Sequence, residues 1–129
     1  KKGMLNFSYE DFLKVLTVNR MKDVIPIKGY FDDVLTYELQ NQYEIKYAAI
    51  VFIDCDLYSS TKVVLDFIKN TLQTGTIVIF DDYWLFRGDQ AEGGQKALSE
   101  FQEIWPNIQF REYLHPYSFC SKIFLINIV

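Results

Sequence analysis

Apolar residues occupy every position from Ala48 to Ile53, and a second run, Thr76 to Phe80, is apolar at every position after its first. Unbroken runs of strand length mark strands covered on both faces, whereas a strand with one wet face alternates. Both runs stop at acids, Asp54-Cys55-Asp56 after the first and Asp81-Asp82 after the second. Between them Val64, Leu65, Ile68 and Leu72 recur at helical spacing. Ser59, Ser60 or Thr61 can cap that helix, and Gly75 stops it. Strand, helical crossover and strand form the connection that parallel pairing needs, so this stretch predicts a βαβ unit.

The flanks extend this pattern. Ser8-Tyr9-Glu10-Asp11 has the form of a capping box, with Phe7 and Phe12 as a hydrophobic staple and Leu13 and Leu16 continuing the helix. Val24 to Lys28 predicts a short strand, which Pro26 confines to a sheet edge or a strand end. Gly29 breaks it, and Asp33 to Gln42 is an ambiguous connection with helical character. Downstream, the glycine-rich stretch Gly88 to Gly94 leads into a helix with Ala97, Leu98, Phe101, Ile104 and Trp105 on one face, ended by Pro106. Ile108 to Leu114 and Lys122 to Val129 predict two strands whose connection is too short for a parallel crossover, so they pair antiparallel. The expected fold class is α/β, a mainly parallel sheet finished by a C-terminal antiparallel hairpin, in one domain over residues 1–129.

Composition narrows the function classes. Half of the 129 residues are hydrophobic and 17% aromatic, enough for a real core. The net charge of −4 comes with scattered lysines and arginines, unlike the basic stripe of a nucleic-acid binder. No apolar run reaches membrane-spanning length. Cys55 and Cys120 lack metal-site spacing and read as buried free thiols, which suits a cytoplasmic location.

The acids carry the chemistry. Ligands of open α/β sheets bind beyond the C-terminal ends of the parallel strands. Adjacent strands lie about 5 Å apart, so Asp54, Asp81 and Asp82 converge within reach of one ion. Two bare carboxylates about 4 Å apart repel by roughly 4 kcal/mol at an effective dielectric of about 20. Protonation, strong solvation or a divalent cation must relieve that repulsion. All-oxygen ligands with open positions suit Mg²⁺, with Mn²⁺ or Ca²⁺ as alternatives. The competing reading has one aspartate capping each following helix and the others facing water.

Phe-Ile-Asp-Cys-Asp-Leu-Tyr-Ser-Ser-Thr at 52–61, followed by Gly-Thr-Ile-Val-Ile-Phe-Asp-Asp-Tyr at 75–83, resembles the macrocin/mycinamicin O-methyltransferase (TylF/MycF) family. Lys28-Gly29-Tyr30-Phe31-Asp32-Asp33-Val34-Leu35 is similar to a further segment of that family, as are Gly88-Asp89 and Gly93 to Ala97 with Phe101. The resemblance runs from about Phe7 to the end of the chain. It implies a Rossmann-like, S-adenosylmethionine-dependent O-methyltransferase with Mg²⁺ held by Asp54, Asp81 and Asp82. The metal then lowers the pKa of a hydroxyl on a sugar or other natural-product acceptor. Asp54 and Asp56 are the expected catalytic residues, Asp56 as general base or as a partner to the metal ligands. Gly29, Tyr30 and Phe31 are expected near the adenine of the cofactor and Asp54 near its methionine portion. Tyr58, Tyr83 and the lone histidine, His115, are the candidate acceptor contacts.

Two departures from the family pattern stand out. Cys55 replaces a glycine between the paired aspartates, where the backbone is then less free. The six glycines also supply no GxGxxG-like loop after a first strand. The first two strands of the methyltransferase sheet are therefore expected to be missing; either Val24 to Lys28 closes up against Ala48 to Ile53, or an exposed edge invites homo-oligomers, and the fragment is expected to bind S-adenosylmethionine poorly or not at all and to be inactive alone. Two rival readings remain. Asp54-Cys55-Asp56 also fits the DxD signature of metal-dependent glycosyltransferases, and the half-sheet could serve as a non-catalytic interaction module.

Overall fold

A computed structural model describes residues 8–114 and 117–129. They form two compact units divided after Tyr30.

In the first unit, helix α1 spans Tyr9–Val18, and the Ser8 hydroxyl accepts from the Asp11 amide at 3.1 Å, the expected cap. Its intended staple partner, Phe7, lies outside the described residues. Val24 to Lys28 is not a strand: it joins no ladder, and Ile25 is exposed. A strand exists only through its neighbours, and five residues with a central proline have none here.

The second unit holds the sheet. Helices α2 (Phe31–Val34) and α3 (Tyr37–Gln42) fill the ambiguous connection, α3 being capped by Thr36, whose hydroxyl accepts from the Leu39 amide at 3.3 Å. Then follow β1 (Ile50–Ile53), α4 (Tyr58–Ile68), β2 (Ile77–Phe80), α5 (Gly93–Ile104), β3 (Ile108–Glu112) and β4 (Lys122–Ile128). The strand order is β1-β2-β4-β3. The predicted βαβ unit is present, with β1 and β2 parallel and Ile53 opposite Phe80. The predicted hairpin is present too, with β3 and β4 antiparallel. β4 also runs antiparallel beside β2, so the four strands form a mixed sheet with a single parallel pair.

The core lies on one face of this sheet. Ile53, Val78, Phe80, Phe124 and Ile126 meet Leu65 and Ile68 from α4 and Ala97, Leu98 and Phe101 from α5. Ile104 and Trp105, expected on the same apolar face of α5, are instead exposed at its end. The run Ala48 to Ile53 is not covered on both sides: Ile50 and Phe52, on the face away from α4 and α5, are 64% and 53% exposed. No helix among the described residues is long and apolar enough to cross a membrane.

Candidate functional site

The parallel register sets the site. Because Ile53 pairs with Phe80, the next residues, Asp54 and Asp81, leave their strands side by side, and the Asp81 amide donates to the Ile53 carbonyl at 2.9 Å. Asp54, Asp81 and Asp82 each offer a carboxylate oxygen, and the three oxygens lie within 4.8 Å of one another. None of the three caps a helix. α4 begins after Leu57 and α5 after Glu92, both without a side-chain cap, so the capping alternative does not describe these acids. The residues expected to cap α4 lie within its first turns. Of them, Thr61 is fully buried, and its hydroxyl faces the Cys55 and Leu57 carbonyls at 3.2 and 3.1 Å, fastening the acidic turn to the helix.

The crowding of negative charge is visible in the ionisation of the acids. Burial, then repulsion from Asp81 and Asp56, raises the Asp54 pKa above the usual carboxylate range. Asp82 is pushed up to about 6, first by burial, then by a hydrogen bond and repulsion from Asp56, with Asp81 and Asp54 adding to it. Asp56 therefore joins the cluster as a fourth carboxylate, against Asp82. The donor set is all carboxylate, its members are close enough to share one ion, and its charge is unrelieved by any lysine or arginine within salt-bridge distance among the described residues. A hard divalent cation such as Mg²⁺ fits it.

Cys55 fits its turn without strain, since it is not among the residues with positive φ, so the glycine of the family pattern is not required there. Its thiol is half-buried, its pKa raised by burial, and its sulfur is 3.6 Å from the Thr61 hydroxyl. Tyr58 opens α4 and donates its hydroxyl to Glu100 at 2.6 Å, with Lys62 beside it and Lys96 over its ring. Tyr83 is half-buried edge-on to Phe80 and Phe124, with burial raising its phenol pKa. Gly29 and Tyr30 end the first unit, where Tyr30 is 83% exposed, and Phe31 opens α2 in the second. His115 lies outside the described residues.

Sequence reasoning missed Tyr117. In the connection between β3 and β4, its hydroxyl donates to Asp81 and its ring stacks on Phe52. That bond pushes the phenol pKa up to about 12. No local signal marks the residue, because the register of the hairpin beside β2 brings it there.

The sequence matches the family described as Macrocin-O-methyltransferase (TylF) over residues 13–105. Among solved structures, apo CalS11, a TDP-rhamnose 3′-O-methyltransferase of calicheamicin biosynthesis, is similar with a TM-score of 0.63 at 24% identity, covering 92% of this chain and 51% of that one. The O-methyltransferase NovP gives 0.58 at 17%, covering 95% and 53%. The fibrillarin pre-rRNA processing protein of Methanococcus jannaschii gives 0.51 at 11%, covering 95% and 54%. At such identities the likeness shows the fold, Rossmann-like as expected, and the chain spans about half the length of each structure. No curated protein matches by sequence.

Proposed function

The chain belongs to the macrocin O-methyltransferase (TylF) family, and from that premise we propose that it supplies the metal-binding, acceptor-activating part of an S-adenosylmethionine-dependent O-methyltransferase acting in the cytoplasm. The acceptor is a hydroxyl on a sugar or other small natural product. The carrying observation is the convergence of Asp54, Asp81 and Asp82 at one strand-end rim, uncapped and mutually repelling.

Asp54, Asp81 and Asp82 would hold Mg²⁺, which when bound polarises a coordinated hydroxyl and lowers its pKa towards neutrality. The chain's own residues do the rest of the local work. Asp56, which shares a hydrogen bond with Asp82 outside the trio, would serve either as the base that takes the acceptor's proton or as the partner that orients Asp82. Thr61 holds the Asp54–Leu57 turn against α4, and Tyr117 orients Asp81 through its hydroxyl. Positioning of this kind is the main protein contribution to an in-line methyl transfer. The DxD reading gives Asp81 and Asp82 no task, although they share the cluster with Asp54.

Calorimetric titration of the chain with Mg²⁺ tests the proposal. One ion per chain is expected, with binding weakened at least about tenfold in Asp82→Asn and in Asp54→Asn. A folded sample that takes up no Mg²⁺ at millimolar concentration would remove the chemistry on which the reading stands.

A further inference from the structure

Tyr117 and Phe52 are 59% and 53% exposed, so neither ring belongs to the core. The two are nonetheless stacked, with centroids 6.4 Å apart and planes 26° from parallel. The backbone behind Tyr117 is pinned. The Ser118 hydroxyl accepts from the Cys120 and Ser121 amides at 3.3 and 3.1 Å, and the buried Ser121 hydroxyl donates to the Ser118 carbonyl at 3.2 Å. The Cys120 carbonyl accepts from the Trp84 amide at 2.9 Å, tying this turn to the segment that leaves Asp82. Tyr117 therefore starts from a fixed turn, and the Phe52 ring settles where its own ring lies.

What the two rings place is a hydroxyl. Among the described residues, Tyr117 is the only side chain outside the four acids that hydrogen-bonds to any of them. The neighbours of Asp81 in the cluster are carboxylates, whose repulsion favours turning it outward to water. A donor on Oδ1 opposes that turn and leaves the second oxygen for an ion. We infer that Phe52 and Tyr117 act as one positioning pair: the Phe52 ring seats the Tyr117 ring, whose hydroxyl holds Asp81 towards Asp54 and Asp82. Metal affinity at the acid rim is thereby tied to a residue outside the cluster, on the face of the sheet away from α4 and α5. The consequence for an ion rests on the proposed function; the seating of Asp81 does not.

Carbon-detected NMR of the metal-free chain follows the Asp81 carboxyl carbon, and calorimetry follows Mg²⁺ affinity. In Tyr117→Phe the carboxyl resonance should move, and Mg²⁺ should bind about tenfold more weakly. Phe52→Leu keeps an apolar side chain without a ring. It should move the same resonance in the same direction and weaken binding about threefold. Because the two residues act in series, the double variant should bind no more weakly than Tyr117→Phe alone. Phe52→Tyr retains a ring and should keep both readings at their wild-type values. Ile50→Lys, on the same face at the other end of β1, should change neither. An Asp81 resonance unmoved in Phe52→Leu, additive losses in the double variant, or an equal loss in Ile50→Lys would overturn the pair. Full Mg²⁺ uptake with a resonance indifferent to both variants sinks the pair alone. A resonance that answers to both variants in a chain that takes up no Mg²⁺ sinks the metal reading alone.

Discussion

Asp82 binds its proton more tightly in the folded chain than in the unfolded one, its pKa being raised from 3.8 to about 6. Between those values the native state holds more protons, so stability falls as pH rises through about 6, the reverse of a carboxylate in a salt bridge. The raised pKa of Asp54 acts in the same direction. Thermal melts without metal should therefore show a lower transition at pH 7 than at pH 5, and Mg²⁺ should recover the loss at pH 7 but not at pH 5, where protons compete for the same oxygens. Asp82→Asn should flatten both dependences, and a melting temperature that rises from pH 5 to pH 7 in the metal-free chain would contradict the assigned crowding. Thr61→Val makes a separate test: losing the buried hydroxyl leaves the Cys55 carbonyl without its donor, while the Leu57 carbonyl keeps the Thr61 amide, and urea unfolding should report a loss of about 1–2 kcal/mol. The three aspartates were legible from sequence because each ends an unmistakable strand, so topology alone brings them together. Tyr117 was not, since hairpin register brings it to Asp81.

The same contrast holds for elements. β1, β2, α4 and α5 could be read to within a few residues because their apolar periods are long and bounded by acids, glycine or proline. Val24 to Lys28 has strand composition, yet strands are made by partners that local sequence does not supply. The turn before α5 was also hidden: Phe86, Arg87 and Gly88 follow one another with φ of 57°, 60° and 74°, a left-handed run that residues with a Cβ seldom adopt. This run lays the Phe86 ring on Gly93, where a Cβ would come within 2.7 Å of Cδ2 at a φ of +52°. Gly93→Ala should thus destabilise the chain by about 2–3 kcal/mol, from backbone strain and overpacking together. Only the overpacking portion should be recovered in the double variant with Phe86→Ala. Denaturant titrations of the four proteins measure that coupling, and strictly additive losses would show that ring and glycine do not compete for the space.

At the scale of the molecule, the sheet has a strongly buried face and a partly bare one. α4 and α5 cover Val51, Ile53, Val78 and Phe80, whereas Ile50 and Phe52 stay exposed on the opposite face, with Ile77 and Ile79 half-buried beside them in register. β1 is also an edge, its only strand neighbour among the described residues being β2. Parallel pairs are ordinarily covered on both faces, and an edge strand with an apolar surface pairs readily with whatever strand it meets. The unbroken run from Ala48 to Ile53 has the sequence of a strand with cover on both sides, so the chain carries more apolar surface than its own helices in the second unit enclose. The isolated chain should accordingly self-associate, its weight-average mass in sedimentation equilibrium rising above 15.2 kDa with concentration. Phe52→Lys and Ile50→Lys place a charge on the bare face and should hold the mass at that of one chain; Mg²⁺ uptake should persist in Ile50→Lys, at the end of β1 away from Asp54, whereas Phe52 carries the Tyr117 ring beside Asp81. A wild-type chain that stays monomeric across the concentration range, or lysine variants that associate equally, would place the driving surface elsewhere.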